Sequence, residues 1–140
     1  MDIKTIQLKG QIAGRTLAEP MASKFSALYD EWLLVTKQKL IVTSAYRSVA
    51  TQQKLYDAYL LRKKKPPAVA KPGLSRHNAG MAIDVNLKTI DQTLTWGGGK
   101  LTQNDATRRS EPYKLFLGIA GKHGFINFAK EAWHFSDTGH

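Results

Sequence analysis

Residues 75–84 read SRHNAGMAID, and the chain continues as VNL to residue 87. The run MAIDVNL, 81–87, is apolar and β-branched enough to form a buried strand. It carries one carboxylate, Asp84, in its middle. A carboxylate in an apolar strand is costly to bury without a partner. His77 lies seven positions upstream, on the loop that enters the strand, with Gly80 between them. A second short stretch, EAWHF at 131–135, adds His134 and, three positions before it, Glu131. If His77, Asp84 and His134 meet, the last strand must lie beside the strand at 81–87. The reading of this one stretch therefore sets the pairing of the sheet.

Two imidazoles and a carboxylate are a ligand set suited to zinc, without excluding other divalent ions. A catalytic zinc takes three protein ligands and leaves a position for water, whose pKa it lowers from 15.7 to about 7. Gly80 lets the chain turn close to such a metal with no side chain in the way. Glu131 is near enough to His134 to take the proton of that water without being a ligand, and to pass it to a leaving amine. The implied chemistry is metal-assisted hydrolysis of an amide. One histidine near one aspartate is common by itself, and Glu131 alone would be a turn residue at the surface. His123 precedes Gly124 at a helix end, where a cation suits the dipole, and takes no catalytic role. His140 is the last residue given and is expected to be disordered.

Outward from these stretches the chain reads as alternating short elements. Residues 1–19 are weakly patterned, a short strand or arm. From Pro20 to about Lys39 the positions Met21, Phe25, Leu28, Tyr29, Trp32 and Leu33 recur at helical spacing. LIVTSAY, 40–46, is a second buried strand, with Arg47 at its exit and Ser48 as N-cap of a helix from Val49 to about Lys63. In that helix Gln52, Leu55, Tyr56 and Tyr59 share spacing, basic residues Arg62 to Lys65 close it, and Pro66 and Pro67 stop it. Residues 64–74 are a connection and 88–110 a long polar loop containing Gly97 to Gly99. Glu111 to His123 is a third helix, with Pro112 in its first turn, Leu115, Phe116, Ile119 and Ala120 on one face, and Gly124 as C-cap. Phe125–Phe128 and Trp133–Phe135 are two short paired strands. The order is not a regular βαβ alternation, so the class is α+β. The expectation is one domain over 1–140, with a central antiparallel sheet, about three helices, and the zinc site in a cleft on the sheet.

The length of 140 residues fits one core, and the 42% hydrophobic content is ordinary for a folded domain. There is no cysteine, so disulfides and thiolate ligands are excluded and any metal must use His, Asp or Glu. The absence also suits a workplace outside the cytoplasm. The net charge of +10 points to an anionic partner. MDIKTIQLKGQIAG is not a signal peptide, and no window approaches the roughly 18 apolar residues of a spanning helix.

Three segments together resemble a known family. SRHNAGMAID matches Ser-x-His-x-x-Gly-x-Ala-x-Asp, and EAWH matches Glu-x-Trp-His. SAYRS at 44–48, followed by Gln52 and Gln53, is similar to the segment that opens the same domain. Over about residues 40–136 the chain resembles the zinc D,D-peptidases that include the vancomycin-resistance D-alanyl-D-alanine carboxypeptidases and dipeptidases. Phage L-alanyl-D-glutamate endolysins share their fold, and the hedgehog signalling domain has a similar site. The resemblance implies one zinc per chain on His77, Asp84 and His134, Glu131 as general base and acid, and Arg47 as the cation that stabilises the oxyanion. It offers Ser75, Trp133 and Gln53 as substrate-binding residues, with Ser75 able instead to order its loop and Gln53 and Tyr46 able to serve as structural support.

The E-x-W-H form and SAYRS resemble the D,D-carboxypeptidase branch, which implies cleavage of the D-Ala-D-Ala end of peptidoglycan stem peptides. A phage-type endopeptidase cutting L-alanyl-D-glutamate bonds or crosslinks is the alternative, and a zinc-containing module without activity is a rival of another class. A further rival, nucleic-acid binding through Arg62 to Lys65, lacks any helix-turn-helix or RNA-binding signature. WGGGK at 96–100 has the wrong spacing for a phosphate loop. The expected partners are peptidoglycan or its precursors and an anionic wall surface, and the expected state is a monomer with no membrane span. Release through membrane holes or delivery by a virion is favoured over a cytoplasmic dipeptidase.

Overall fold

The computed structural model describes residues 3–12, 14–62, 69–92 and 107–140. In chain order the elements are β1 (Ile6–Gln7), β2 (Thr16–Leu17), α1 (Met21–Thr36), β3 (Val42–Ser44), α2 (Val49–Leu60), β4 (Ala82–Val85), α3 (Glu111–Lys122), β5 (Ile126–Phe128) and β6 (Glu131–Ser136). Short 3-10 turns occupy Arg76–Ala79 and Leu87–Thr89. The class is α+β. Gly97–Gly99, WGGGK and Lys63–Lys65 lie outside the described residues.

The central sheet has the order β3-β4-β6-β5, and every neighbouring pair is antiparallel. β4 lies beside β6 in a register that sets Asp84 opposite His134 and Ile83 opposite Phe135. Side chains alternate across a strand, so this register separates two faces. Ile83, Val85 and Phe135 enter the hydrophobic core, while Asp84 and His134 project to the other side.

On the core face α1 and α3 cover the sheet. Trp32 meets Phe116 edge-on at 5.2 Å between ring centroids, and Phe116 meets Phe135 edge-on at 5.1 Å. Such perpendicular pairs add about 0.5–1.5 kcal/mol to what area burial supplies. Met21, Phe25, Leu28, Tyr29 and Trp32 are buried as their spacing predicts, but Leu33 is 38% exposed. Leu33 sits on the solvent edge of the stripe, because successive helical residues point about 100° apart. Leu115 of α3 is likewise exposed, and Tyr113 takes the inward position instead. In α2 Gln52 is the buried residue, so the expected Leu55, Tyr56 and Tyr59 stripe faces the cleft or solvent rather than the core.

β1 and β2 pair as a hairpin that seals the outer edge of β3. Gln11 acts as a stand-in strand there: its Oε1 accepts from Val42 N at 2.8 Å and its Nε2 donates to Leu40 O at 2.8 Å. Unpaired strand edges invite association, and this hairpin closes one. At the other edge Arg108 donates to Phe128 O and Ala129 O.

Candidate metal centre

The corner between β3 and α2 builds one wall of the site. Ser48 caps α2 by accepting from Thr51 N, as the sequence predicts. The chain enters the cap with Arg47 turned inward, where Nη1 donates to Gln52 Oε1 at 2.9 Å and Nη2 donates to Ser44 Oγ at 2.8 Å. Nη2 also lies 4.0 Å from Asp84 Oδ2. Burial pulls the pKa of this guanidinium down while Asp84 and Glu131 push it back up. Arginine stays charged throughout, so the result is a fixed, half-buried cation.

The loop before β4 is locked to that corner. Ser75 Oγ accepts from His77 N at 3.1 Å and caps the 3-10 turn. Arg47 N donates to His77 O, and Asn78 Nδ2 donates to Arg47 O at 2.8 Å. Gly80 closes the turn in the left-handed region at φ +70°. A Cβ here would lie 2.8 Å from Ala18 N, so the close approach to the N-terminal hairpin by itself demands glycine. The same packing brings Gly80 O to accept from Ala18 N at 3.0 Å.

The third piece is β6. A register shift between Asn127 and Phe128 lifts Glu131 into the cleft at the start of the strand. Asn127 Nδ2 secures the irregularity by donating to the main-chain oxygens of Glu131 and His134. Behind it, Tyr113 Oη donates to Ala132 O at 2.9 Å, and burial pushes the phenol pKa up to about 12.

These pieces bring His77, Asp84 and His134 together, with one ligand atom from each inside a span of 4.8 Å. His77 Nε2 is 3.2 Å and His134 Nδ1 is 2.9 Å from Asp84 Oδ1. Donors on a tetrahedral zinc with bonds of 2.0–2.2 Å sit about 3.4 Å apart, so the spacing fits. The hydrogen bonds fit as well. His77 Nδ1 is 2.7 Å from Ala45 O, and His134 Nε2 is 2.7 Å from the main-chain oxygen of His140. A carbonyl only accepts, so each of those nitrogens carries its ring's proton. In a neutral ring the other nitrogen aims a lone pair at a carboxylate oxygen, and converging acceptors of that kind suit a bound cation.

With no cation between them, the same ring nitrogens can instead be protonated and donate to Asp84. Burial opposes ionisation of Asp84, but the bonds to His134 and His77 outweigh it and hold the carboxyl far below its usual range. Burial also opposes a charge on His134, and Asp84 outweighs it, raising the imidazole pKa. The pocket already favours positive charge beside a negative carboxylate.

The triad forms the floor of a cavity of roughly 450 Å³, and Arg47, Gln52, Ser75, Glu131 and Trp133 also line it. Trp133 is 4% exposed and belongs both to this wall and to the core. Gln53 does not line the cavity. It is exposed on α2, with Nε2 donating to Asp57 Oδ1 at 2.8 Å, and Gln52 faces inward in its place. Of two adjacent helical residues only one can face the cleft. His140 is also placed differently from expectation. It is held by Ser136 Oγ, which accepts from its N–H, and it lines the cavity rim. The sequence reading gave no role to Ser44, Asn78 or Ser136, since short polar residues in strands and turns leave no spacing signal. His123 pairs with Glu31 at 2.7 Å across α1 and α3, away from the cleft.

Known structures share this arrangement of elements. The vancomycin-resistance D,D-pentapeptidase VanY from a VanB-type cassette, in complex with Zn(II), is 22% identical with a TM-score of 0.64, covering 96% of this chain and 78% of that one. The LD-carboxypeptidase LdcB is 24% identical with a TM-score of 0.66, covering 96% and 66%. The D,D-dipeptidase VanXYg with a D-Ala-D-Ala phosphinate analogue is 21% identical with a TM-score of 0.67, covering 96% and 56%. The chain thus spans little more than half of the longest of these. At such identities the likeness is one of fold. No curated protein sequence matches the chain. The family described as VanY: D-alanyl-D-alanine carboxypeptidase matches residues 14–140. That match takes in the whole central sheet and every site residue named above, and on that ground the chain belongs to the VanY D-alanyl-D-alanine carboxypeptidase family of metallopeptidases.

Proposed function

We propose that the chain is a zinc-dependent D,D-carboxypeptidase that removes the terminal D-alanine from peptidoglycan stem peptides ending in D-Ala-D-Ala. The observation that carries this reading is the convergence of His77, Asp84 and His134 on the floor of a cleft walled by Glu131 and Arg47. The family match supports the substrate class.

His77, Asp84 and His134 would hold the metal. When bound, zinc supplies an acidified water and a Lewis acid for the scissile carbonyl. Glu131 accepts a proton from the attacking water and returns it to the leaving amine, so no net proton is consumed. Arg47, fixed by Ser44 and Gln52, donates to the carbonyl oxygen as negative charge develops there. A cation that needs no rearrangement at that moment is an effective catalytic element. The apolar side of the cleft, with Leu55, Val69 and Leu74, suits the methyl groups and backbone of a short alanine-rich peptide.

The net charge of +10 supports action at an anionic cell wall, reached through membrane holes or a virion. No helix among the described residues is long and apolar enough to cross a membrane. The test is incubation of the zinc-loaded protein with a muramyl pentapeptide, read by mass. Loss of a single alanine is expected. Retention of both terminal alanines with cleavage of the L-alanyl-D-glutamate bond, or opened crosslinks when whole peptidoglycan is the substrate, would replace this reading with an endopeptidase.

A further inference from the structure

The turn that follows β6 does more than end the described chain. Ser136 is fully buried, and its Oγ accepts from three successive main-chain groups: Thr138 N at 3.3 Å, Gly139 N at 2.9 Å and His140 N at 3.1 Å. These bonds curl residues 137–140 back over the strand. Gly139 adopts φ +80°, and a Cβ there would come within 3.0 Å of Ile126 Cγ2, so the curl needs glycine. Its outcome is to set the main-chain oxygen of His140 at 2.7 Å from His134 Nε2.

An outer lock holds the turn. Arg76 clasps Asp137 through two parallel bonds, Nε to Oδ1 at 2.9 Å and Nη2 to Oδ2 at 2.5 Å. Asp137 N also donates to Met81 O. Arg76 is the neighbour of His77, so one bidentate pair ties the turn that carries His77 to the turn that braces His134. Bidentate arginine–carboxylate pairs add geometric definition as well as energy.

We infer that Ser136 is a positioning residue for the metal centre: through the 137–140 turn it holds the His140 main-chain oxygen against His134 Nε2, which turns Nδ1 toward Asp84 and the metal. This rests on the reading of the triad as a metal site. The Arg76–Asp137 pair assists from outside. Groups that orient a ligand histidine through its second nitrogen tune metal affinity by about 10–100-fold.

The experiment measures zinc affinity by competition with a chromophoric chelator, and the imidazole N–H signals of the zinc-loaded protein by long-range ¹H–¹⁵N NMR. In Ser136→Ala the affinity should fall about 10–100-fold at unchanged stoichiometry. The His134 Nε2–H signal should broaden into exchange with water, while the His77 Nδ1–H signal persists. A purely structural role would move both signals or neither. Asp137→Asn, at a partly exposed pair, should shift the same readouts in the same direction by less, and it decides the matter if Ser136→Ala fails to fold. Zinc affinity within about twofold of the wild type, with the His134 signal intact in both variants, overturns the inference. If the wild type binds no zinc, the metal reading falls, and this inference with it.

Discussion

His77 and His134 hold mirror positions around Asp84, yet they are supported by different parts of the molecule. Each gives one ring nitrogen to Asp84 Oδ1 and the other to a main-chain oxygen at 2.7 Å. His77 is braced through Nδ1 by Ala45, a buried residue just past β3, and its loop is bonded to Arg47, in part through Asn78, and to the N-terminal hairpin. His134 is braced through Nε2 by a surface turn organised by Ser136. Segments with few core contacts open locally at lower free energy than the core does. The difference teaches that equivalent ligands need not share a fate. Damage on the His77 side should register in the stability of the whole domain, and damage on the His134 side in metal affinity.

The largest effects test the equivalence. His77→Ala and His134→Ala should each abolish stoichiometric zinc binding, measured by metal analysis after gel filtration, and reduce turnover to background. The comparison breaks on the metal-free proteins. With chelator present, His77→Ala should lower Tm more than His134→Ala, because the His77 ring packs into the β3–α2 corner. Equal losses would show that both braces belong to one cooperative unit.

Next come the cleft walls, which should leave the metal in place. Glu131→Ala should retain zinc and lose roughly 10²–10⁴-fold in turnover, the range of a general acid–base group. Arg47→Ala should also retain zinc and lose about 10²–10³-fold, as for one oxyanion donor. Loss of zinc in Arg47→Ala would make Arg47 a brace of the His77 half and not a catalytic cation.

What the sequence revealed divides along the same line. The strand carrying Asp84, the helix cap at Ser48 and the core stripe of α1 were legible because apolar periodicity and capping chemistry are local. The convergence of His77, Asp84 and His134 was legible from short motifs in order. The braces were not. Gln52 and Gln53 are indistinguishable until the phase of α2 is known, and the structure turns Gln52 inward. Gly80 was read as room for a metal, and its close approach to Ala18, which demands glycine, went unseen. His140 was assigned to disorder by its position, whereas Ser136 folds it back. In each case the deciding partner is distant in sequence or is a main-chain group, and neither leaves a mark in side-chain spacing.

Gly80→Ala sharpens the comparison from the His77 side. An L-residue at φ +70° costs about 1–2 kcal/mol. The added Cβ would also press on Ala18 N at 2.8 Å, a backbone atom that cannot swing away. Tm should fall by roughly 4–8 °C per kcal/mol, or somewhat less at this length, in a thermal melt followed by circular dichroism. Zinc affinity should drop with it, since the turn carries His77. Asp137→Asn should show the opposite profile, with affinity reduced at nearly unchanged Tm. If Gly80→Ala melts like the wild type, the hairpin contact does not set the stability of the His77 half.

The smallest effect belongs to neither half and serves as their control. Glu31 on α1 meets His123 Nε2 at 2.7 Å and Lys122 Nζ at 3.0 Å on α3. The hydrogen bond from His123, followed by that from Lys122, holds the Glu31 carboxyl below its ordinary value of 4.5. The folded state therefore binds fewer protons than the unfolded chain in this range, and stability rises with pH there. The contribution is complete above 4.5 and is lost as pH falls through the lowered value. Exposure keeps it modest. Glu31→Gln should melt slightly below the wild type at pH 7, and the two curves should converge as the pH is taken below 4.5. Zinc affinity should be unaltered, because α1 and α3 pack on the face of the sheet opposite the triad. A change in affinity in Glu31→Gln would mean that the core face and the metal face are coupled, and the division between the two histidines would then be one of degree.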